Sequence, residues 1–222
     1  MQGARVDDGA ACPGHALASP RARSAMRIVG ILLAGGVGAR FGGDKLLAPL
    51  PAASHGVAAG TPIGAASCVH LMAALNDVVA VIRPREPMLS SALRNTGARV
   101  VECAQARDGM GASLACGVAA SADADGWIVA LADMPWIAPA TIIRVVDTLA
   151  GGAEIAAASF RGERGHPVGF AKAYGPLLAA LTGDEGARAV IRSRQWAVQL
   201  VDVDDAGIMR DIDTPADLRT AP

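Results

Sequence analysis

The chain has 222 residues, 52% of them hydrophobic and 18% charged, with a net charge of −1. That balance suits one well-cored globular domain and supplies no global field to attract nucleic acid or an acidic membrane, so any anion site has to be made locally. Aromatic residues make up only 3%, too few for stacking platforms that bind single strands, and no apolar run approaches the ~20 residues of a membrane-spanning helix.

The first 25 residues are rich in Gly, Ala, Pro and Arg, lack helix or strand periodicity, and lack the apolar middle of a secretion signal. They read as a disordered tail or as the product of a mis-assigned start, with Met26 as the true one; residues 26–222 read as a single domain. Cys12, Cys68, Cys103 and Cys116 include no C-x-x-C pair and have no histidines at metal-ligand spacing. They read as reduced thiols in a cytoplasmic protein.

From Met26 onward, β-branched and apolar runs predict strands near 27–34, 77–83, 98–103 and 127–132. Between them, Ile63 to Leu75, Gly111 to Ala122 and Pro139 to Ala150 carry helical patterns, the last with Ile142, Val145, Val146 and Leu149 on one face. Strand and helix in alternation predict an α/β fold with a mostly parallel sheet covered on both faces, and the unbroken apolar runs Ile28 to Ala34 and Ile128 to Ala132 fit central strands. In the second half, Glu154 to Phe160 and His166 to Ala171 flank the polar turn Arg161 to Gly165, which predicts a hairpin or an antiparallel excursion beside the parallel sheet. Tyr174 to Leu181 and Ala187 to Ser193 read as helical and Trp196 to Val203 as a strand; Thr214 and Pro215 are expected to cap and open a last short helix. The Ala, Gly, Pro and Ser-rich stretch 49–60 predicts a loop.

The segment LAGGVGARFGGDK, Leu33 to Lys45, follows the first strand and gathers five glycines, Arg40 and Lys45. Glycines let backbone N–H groups form a concave nest around anionic oxygens, and the two cations add full charge to those dipoles. It is not a Walker loop, because Leu46 follows Lys45 where Ser or Thr would stand, and Phe41 occupies the last place of a dinucleotide fingerprint. Polyphosphate chemistry calls for a divalent cation held by carboxylates. Asp133, immediately after the apolar run that ends at Ala132, is the first candidate ligand, and Asp213 in DIDTPADL the second, with Asp211 as its near alternative. Each also reads as a helix-end or turn residue. Ser113 fits a nucleotide contact or a helix cap, and its surroundings fail the G-x-S-x-G elbow.

LAGGVGARFGGDKLL, GMGASLACGV (Gly109 to Val118), LADMP, RGHPVGF (Arg164 to Phe170), GDEGAR (Gly183 to Arg188) and DIDTPADL (Asp211 to Leu218) together resemble the molybdenum cofactor nucleotidyltransferases. GHPV and GDEGAR are more similar to the cytidylyltransferase branch, whereas Leu33-Ala34-Gly35-Gly36 and Gly43-Asp44-Lys45 are closer to the guanylyltransferases; 51–60 looks like an insertion. The resemblance implies a three-layer Rossmann-like nucleotidyltransferase fold and transfer of CMP from CTP to the terminal phosphate of molybdenum-loaded molybdopterin, with release of pyrophosphate. It implies Mg²⁺ on Asp133 and Asp213, nucleotide binding by Leu33, Ala34, Gly35, Gly36, Gly38, Arg40, Lys45 and Ser113, and Arg40, Lys45 and Asp133 as the catalytic groups. His166, Arg164 and Arg188 are the expected substrate contacts, and a molybdoenzyme or its maturation chaperone the expected protein partner. The same chemistry with GTP, a sugar-phosphate nucleotidyltransferase and a non-catalytic molybdopterin carrier are the alternatives.

Overall fold

The computed structural model describes residues 26–36 and 40–220. The expectations for residues 1–25 and for Gly38 lie outside the described residues. The first half contributes strands β1 (Ile28–Leu33), β2 (Val78–Ile82), β3 (Arg99–Glu102) and β4 (Gly126–Leu131), and helices α1 (Ile63–Met72), α2 (Pro87–Arg94), α3 (Met110–Ala119) and α4 (Pro139–Ala150). The second half adds β5 (Ile155–Phe160), β6 (Glu163–Ala171), α5 (Gly175–Ala179), α6 (Arg188–Ser193) and β7 (Val198–Asp202).

The strands form one sheet in the order β3-β2-β1-β4-β6-β5-β7. β1 pairs in parallel with β2 and β4, β2 with β3, and β5 with β7; β6 alone runs against both its neighbours. The antiparallel excursion is the β5–β6 hairpin, built into the sheet so that β6 lies between β4 and β5. Its turn is shorter than expected: Arg161 (φ 53°) and Gly162 (φ 83°) alone connect β5 to β6, the positive-φ pair that suits the twist of a two-residue hairpin.

Alternating residues of the central strands feed two cores. Ile28, Leu32, Ile128 and Ala130 pack with Leu71, Leu93, Val145 and Leu149 on the face of α1, α2 and α4. Val29, Ile31, Trp127 and Val129 pack with Leu114, Val118, Leu178 and Ile191 on the face of α3, α5 and α6. A Cβ on Gly117 would lie 2.6 Å from Ile31 Cγ2, so glycine there lets α3 settle close on β1.

Several local expectations are corrected. α2 has no counterpart among the predicted elements: it buries only Leu89 and Leu93, one turn apart, which is a short signal. The stretch expected as a helix from Tyr174 becomes a 3₁₀ turn and the five-residue α5, and Gln195–Ala197 turns before β7 begins. Thr214 does not cap a helix; Asp217 Oδ2 accepts the Asp213 and Thr214 N–H groups and the Thr214 hydroxyl, and the final 3₁₀ turn starts at Asp217. Cys103 and Cys116 are not reduced thiols but a disulfide, because the end of β3 and the middle of α3 bring their Cα atoms to 6.1 Å; Cys68 is free and buried. Among the described residues no helix is long and apolar enough to cross a membrane.

Candidate active site

The strand order puts the topological switch between β1 and β4: the chain leaves β1 towards β2 and β3, then returns to lay β4 on its other side. Ligands of open α/β sheets bind at that point, beyond the carboxyl ends of the strands. A cleft of about 220 Å³ opens there. Leu33, Ala34, Gly35, Gly36 and Lys45 form its β1 side, Ser113 its α3 side, and Asp133 its β4 side. Seven of the residues expected from sequence thus meet in one cavity.

Lys45 Nζ donates to Asp133 Oδ2 at 2.8 Å and lies 3.4 Å from Asp213 Oδ1, with its side chain only 10% exposed. Arg40 sits mostly in solvent and reaches Asp213 Oδ2 at 3.0 Å. Burial works against charge on Lys45, but hydrogen bonds and the field of the two carboxylates outweigh it and leave the ammonium above its ordinary value. Burial pushes the Asp133 carboxyl up, only partly offset by Lys45. Its Oδ1 is buried without a hydrogen-bond partner.

Asp211 completes the acidic group. One oxygen each from Asp133, Asp211 and Asp213 lies within 4.8 Å of the others, so the residue expected only as an alternative to Asp213 stands beside it. The Ile212 N–H donates to the Asp133 carbonyl at 2.9 Å, and the Ile212 side chain is fully buried with Leu50, Val57, Ile63, Ala66 and Trp136. The 51–60 loop supports this end of the site: Ser54 Oγ donates to the Pro135 carbonyl at 3.0 Å and His55 Nε2 meets the Trp136 carbonyl at 3.1 Å. A hard, oxygen-only donor set with one orphaned buried oxygen fits Mg²⁺ or Mn²⁺.

The α3 wall was less visible in the sequence. Ser113 lies one turn inside α3, its hydroxyl 3.3 Å from the Gly109 carbonyl, so it is not the cap; Gly109 holds that position. Gly111 donates its N–H to the Gly183 carbonyl at 2.8 Å, and Gly109 (φ 129°) has no space for a Cβ against Gly183. That contact docks the GDEGAR segment on α3 and delivers Asp184 to the cleft, beside Ala106, Arg107 and Met110. None of these four was expected; the GMGAS and GDEGAR motifs contained the signal without showing that they touch.

His166, Arg164 and Arg188 line a second cavity, of about 150 Å³, which shares Leu33, Met110 and Leu131 with the first and adds Glu185 and Phe170. Burial holds the His166 imidazole down at about 4, against the raising effect of a hydrogen bond to the Val129 backbone, and its Nδ1 is buried without a partner. The ring is neutral at pH 7. Two arginines beside a neutral imidazole and apolar walls suit a ligand with an anionic end and a flat, mostly uncharged body.

The chain is 29% identical over 196 residues to the nicotine blue oxidoreductase of Paenarthrobacter nicotinovorans, which spans 84% of this chain and 92% of that protein. It is 31% identical over 202 residues to the purine catabolism protein PucB of Bacillus subtilis (strain 168), spanning 85% and 92%. The solved structure of Rv0371c from Mycobacterium tuberculosis H37Rv matches with a TM-score of 0.73 at 27% identity, covering 88% of this chain and 97% of that one; a complex of the same protein with manganese matches at 0.68. The family model described as the MobA-like NTP transferase domain matches residues 30–200, and the chain belongs to that family of nucleotidyltransferases.

Proposed function

We propose that the protein transfers CMP from CTP to the terminal phosphate of molybdenum-loaded molybdopterin and releases pyrophosphate. The observation that carries this reading is one cleft lined by Gly35 and Gly36 after β1 and by Asp133 after β4, with Lys45 between Asp133 and Asp213 and with Asp211 converging on the same two acids. The choice of pterin and of CTP rests on the resemblance of GHPV and GDEGAR to the cytidylyltransferases, and the second cavity supports it by offering arginines and an apolar slot next to the nucleotide cleft. A cytoplasmic location goes with a nucleoside triphosphate substrate.

The attacking phosphate oxygen is already an anion, so no general base is needed and positioning with electrostatics carries the reaction. In this reading the 35–42 loop holds the triphosphate. Arg40 and Lys45 offset the charge that builds on the departing pyrophosphate. Asp133, Asp211 and Asp213 would hold Mg²⁺, which when bound supplies charge neutralisation between the α-phosphate and the incoming oxygen. Arg164 and Arg188 receive the anionic end of the acceptor, and the neutral His166 hydrogen-bonds its ring system. The product dinucleotide then passes to a molybdoenzyme or its maturation chaperone.

Pyrophosphate release with CTP and GTP offered in parallel, each with the molybdenum-loaded pterin, tests the proposal. Release with CTP, lost in Asp133→Asn, supports it. Release with GTP alone transfers the reading to the guanylyltransferase branch, and tight pterin binding with no release would favour a carrier. One relative carries an oxidoreductase name, so oxidation of NADH or NADPH by an added electron acceptor, with no pyrophosphate formed, would overturn the transferase reading.

A further inference from the structure

We infer that Lys45 is a built-in stand-in for the divalent cation, and that it couples metal binding to nucleotide binding by moving between the carboxylates and the phosphates. The inference rests on the reading of the cleft as a metal–nucleotide site and adds an order to it.

Lys45 opens the 3₁₀ turn Lys45–Leu47, directly after the glycine loop that faces the triphosphate. Its ammonium is nevertheless held by carboxylates, 2.8 Å from Asp133 Oδ2 and 3.4 Å from Asp213 Oδ1, the same two acids whose oxygens converge with Asp211. An octahedral cation needs those oxygens at about 2.1 Å. It cannot enter while an ammonium holds them, because the two positive charges would share one pair of carboxylates in a poorly hydrated site. Lys45 therefore satisfies the acids while no metal is bound and opposes metal entry at the same time.

The arrangement is incomplete as a permanent ion pair. Asp133 Oδ1 stays buried with no partner, so the lysine satisfies half of the carboxylate and leaves an oxygen that a cation would use. Arg40 takes the other oxygen of Asp213 from solvent, and Asp211 has the most exposed carboxylate of the three. Lys45 also has somewhere to go: it lines both the nucleotide cleft and a smaller adjoining cavity bounded by Gly36, Gly43 and Arg83. A lysine is a compact charge on a flexible stem and can cross that short distance, whereas an arginine fork could not follow it as easily.

Phosphates arriving on the glycine loop offer Lys45 a stronger anion than the half-neutralised acids. Its departure uncovers Asp133 and Asp213, which with Asp211 would then hold the cation. Metal and nucleotide thus bind with positive coupling, and linkage requires the effect to be equal in both directions. Without nucleotide, the protein binds the metal weakly.

Mn²⁺ binding, read from the loss of the free-ion electron paramagnetic resonance signal, tests this in the full chain with and without a non-hydrolysable CTP analogue. In the wild type the analogue should tighten Mn²⁺ binding at least tenfold. In Lys45→Met, Mn²⁺ alone should bind at least tenfold more tightly than it does to the wild type alone, and the gain from the analogue should shrink towards unity. Lys45→Gln serves if the methionine variant does not fold, with thermal melting as the check. Wild-type Mn²⁺ uptake that appears with the analogue, together with Lys45 variants no tighter than wild type without it, would overturn the stand-in role and leave the metal site intact. No Mn²⁺ uptake by the wild type under either condition would instead overturn the metal assignment itself, and the coupling with it.

Discussion

Ile212 and Asp133, 79 positions apart by number, are joined by a 2.9 Å hydrogen bond from the N–H of one to the carbonyl of the other. This bond sets the spacing of the three converging carboxylates, because the side chains on either side of Ile212 belong to Asp211 and Asp213 while its own is fully buried. One apolar residue between two acids turns the core into the ruler for the site. Ile212→Ala should cost roughly 2–5 kcal/mol through the cavity it leaves among Leu50, Val57 and Trp136. The milder Ile212→Val, costing about 1 kcal/mol, should keep the fold yet raise the Mn²⁺ concentration needed for half-maximal activity. Urea unfolding and metal titration of the two variants separate the effects; a metal requirement unchanged in Ile212→Val would refute the spacing role.

The parts of the molecule that could be read from the sequence are those whose meaning is local. A continuous apolar run predicts a central strand, so β1 and β4, and with them the position of Asp133 just beyond the end of β4, needed only neighbouring residues. Lys45 shows the limit. Its partners lie 88 and 168 positions away, and no pattern in the loop distinguishes a lysine facing phosphate from one facing carboxylates. The same holds for β6, whose alternation is that of an ordinary hairpin strand while its place between β4 and β5 depends on the whole sheet. Asp184 reaches the cleft only through contact between distant segments, and the Cys103–Cys116 pair depends on how the fold brings the end of β3 to α3, which spacing in the sequence does not show.

The Cys103–Cys116 disulfide ties the end of β3 to α3 across the 3₁₀ segment Ala104–Asp108, whose Ala106 and Arg107 line the cleft at the β1–β4 switch point. Opening a closed loop of this size releases about 3 kcal/mol of constraint in the chain-entropy account. Dithiothreitol, or Cys116→Ser, should therefore lower the melting temperature and raise the KM for the nucleotide while changing kcat less. Alkylation of the unfolded, unreduced protein followed by peptide mapping checks the bond directly: Cys103 and Cys116 should remain unlabelled, and labelling of either without reductant would refute the pairing.

Gly35 lies where the β1 loop meets α3. A methyl group there would stand 3.1 Å from Ala106 Cβ and 3.1 Å from Ser113 Oγ, so the wall has to give by a few tenths of an ångström or the cleft narrows. Gly35→Ala should raise nucleotide KM several-fold, and more for GTP than for CTP, because a purine needs the wider slot. Steady-state KM values for both nucleotides decide it. An equal penalty would mean that the base binds away from this contact.

Stability should fall in mild acid, and the buried histidines set the direction. Burial lowers His166 from 6.5 to about 4 and lowers His70 in the same direction. Between those values the unfolded chain takes up a proton on His166 that the folded chain refuses. The contribution of neutral His166 is therefore fully present above pH 6.5 and is lost as the pH falls through about 4, a change of about 3 kcal/mol for this one residue. Replacing it with glutamine, which cannot be protonated in this range, should flatten that part of the profile. Urea unfolding of wild type and His166→Gln between pH 7 and pH 4 measures the difference in slope. Parallel profiles for the two proteins would mean that His166 is protonated in the folded state, and the neutral ring assigned to the second cavity would then be wrong.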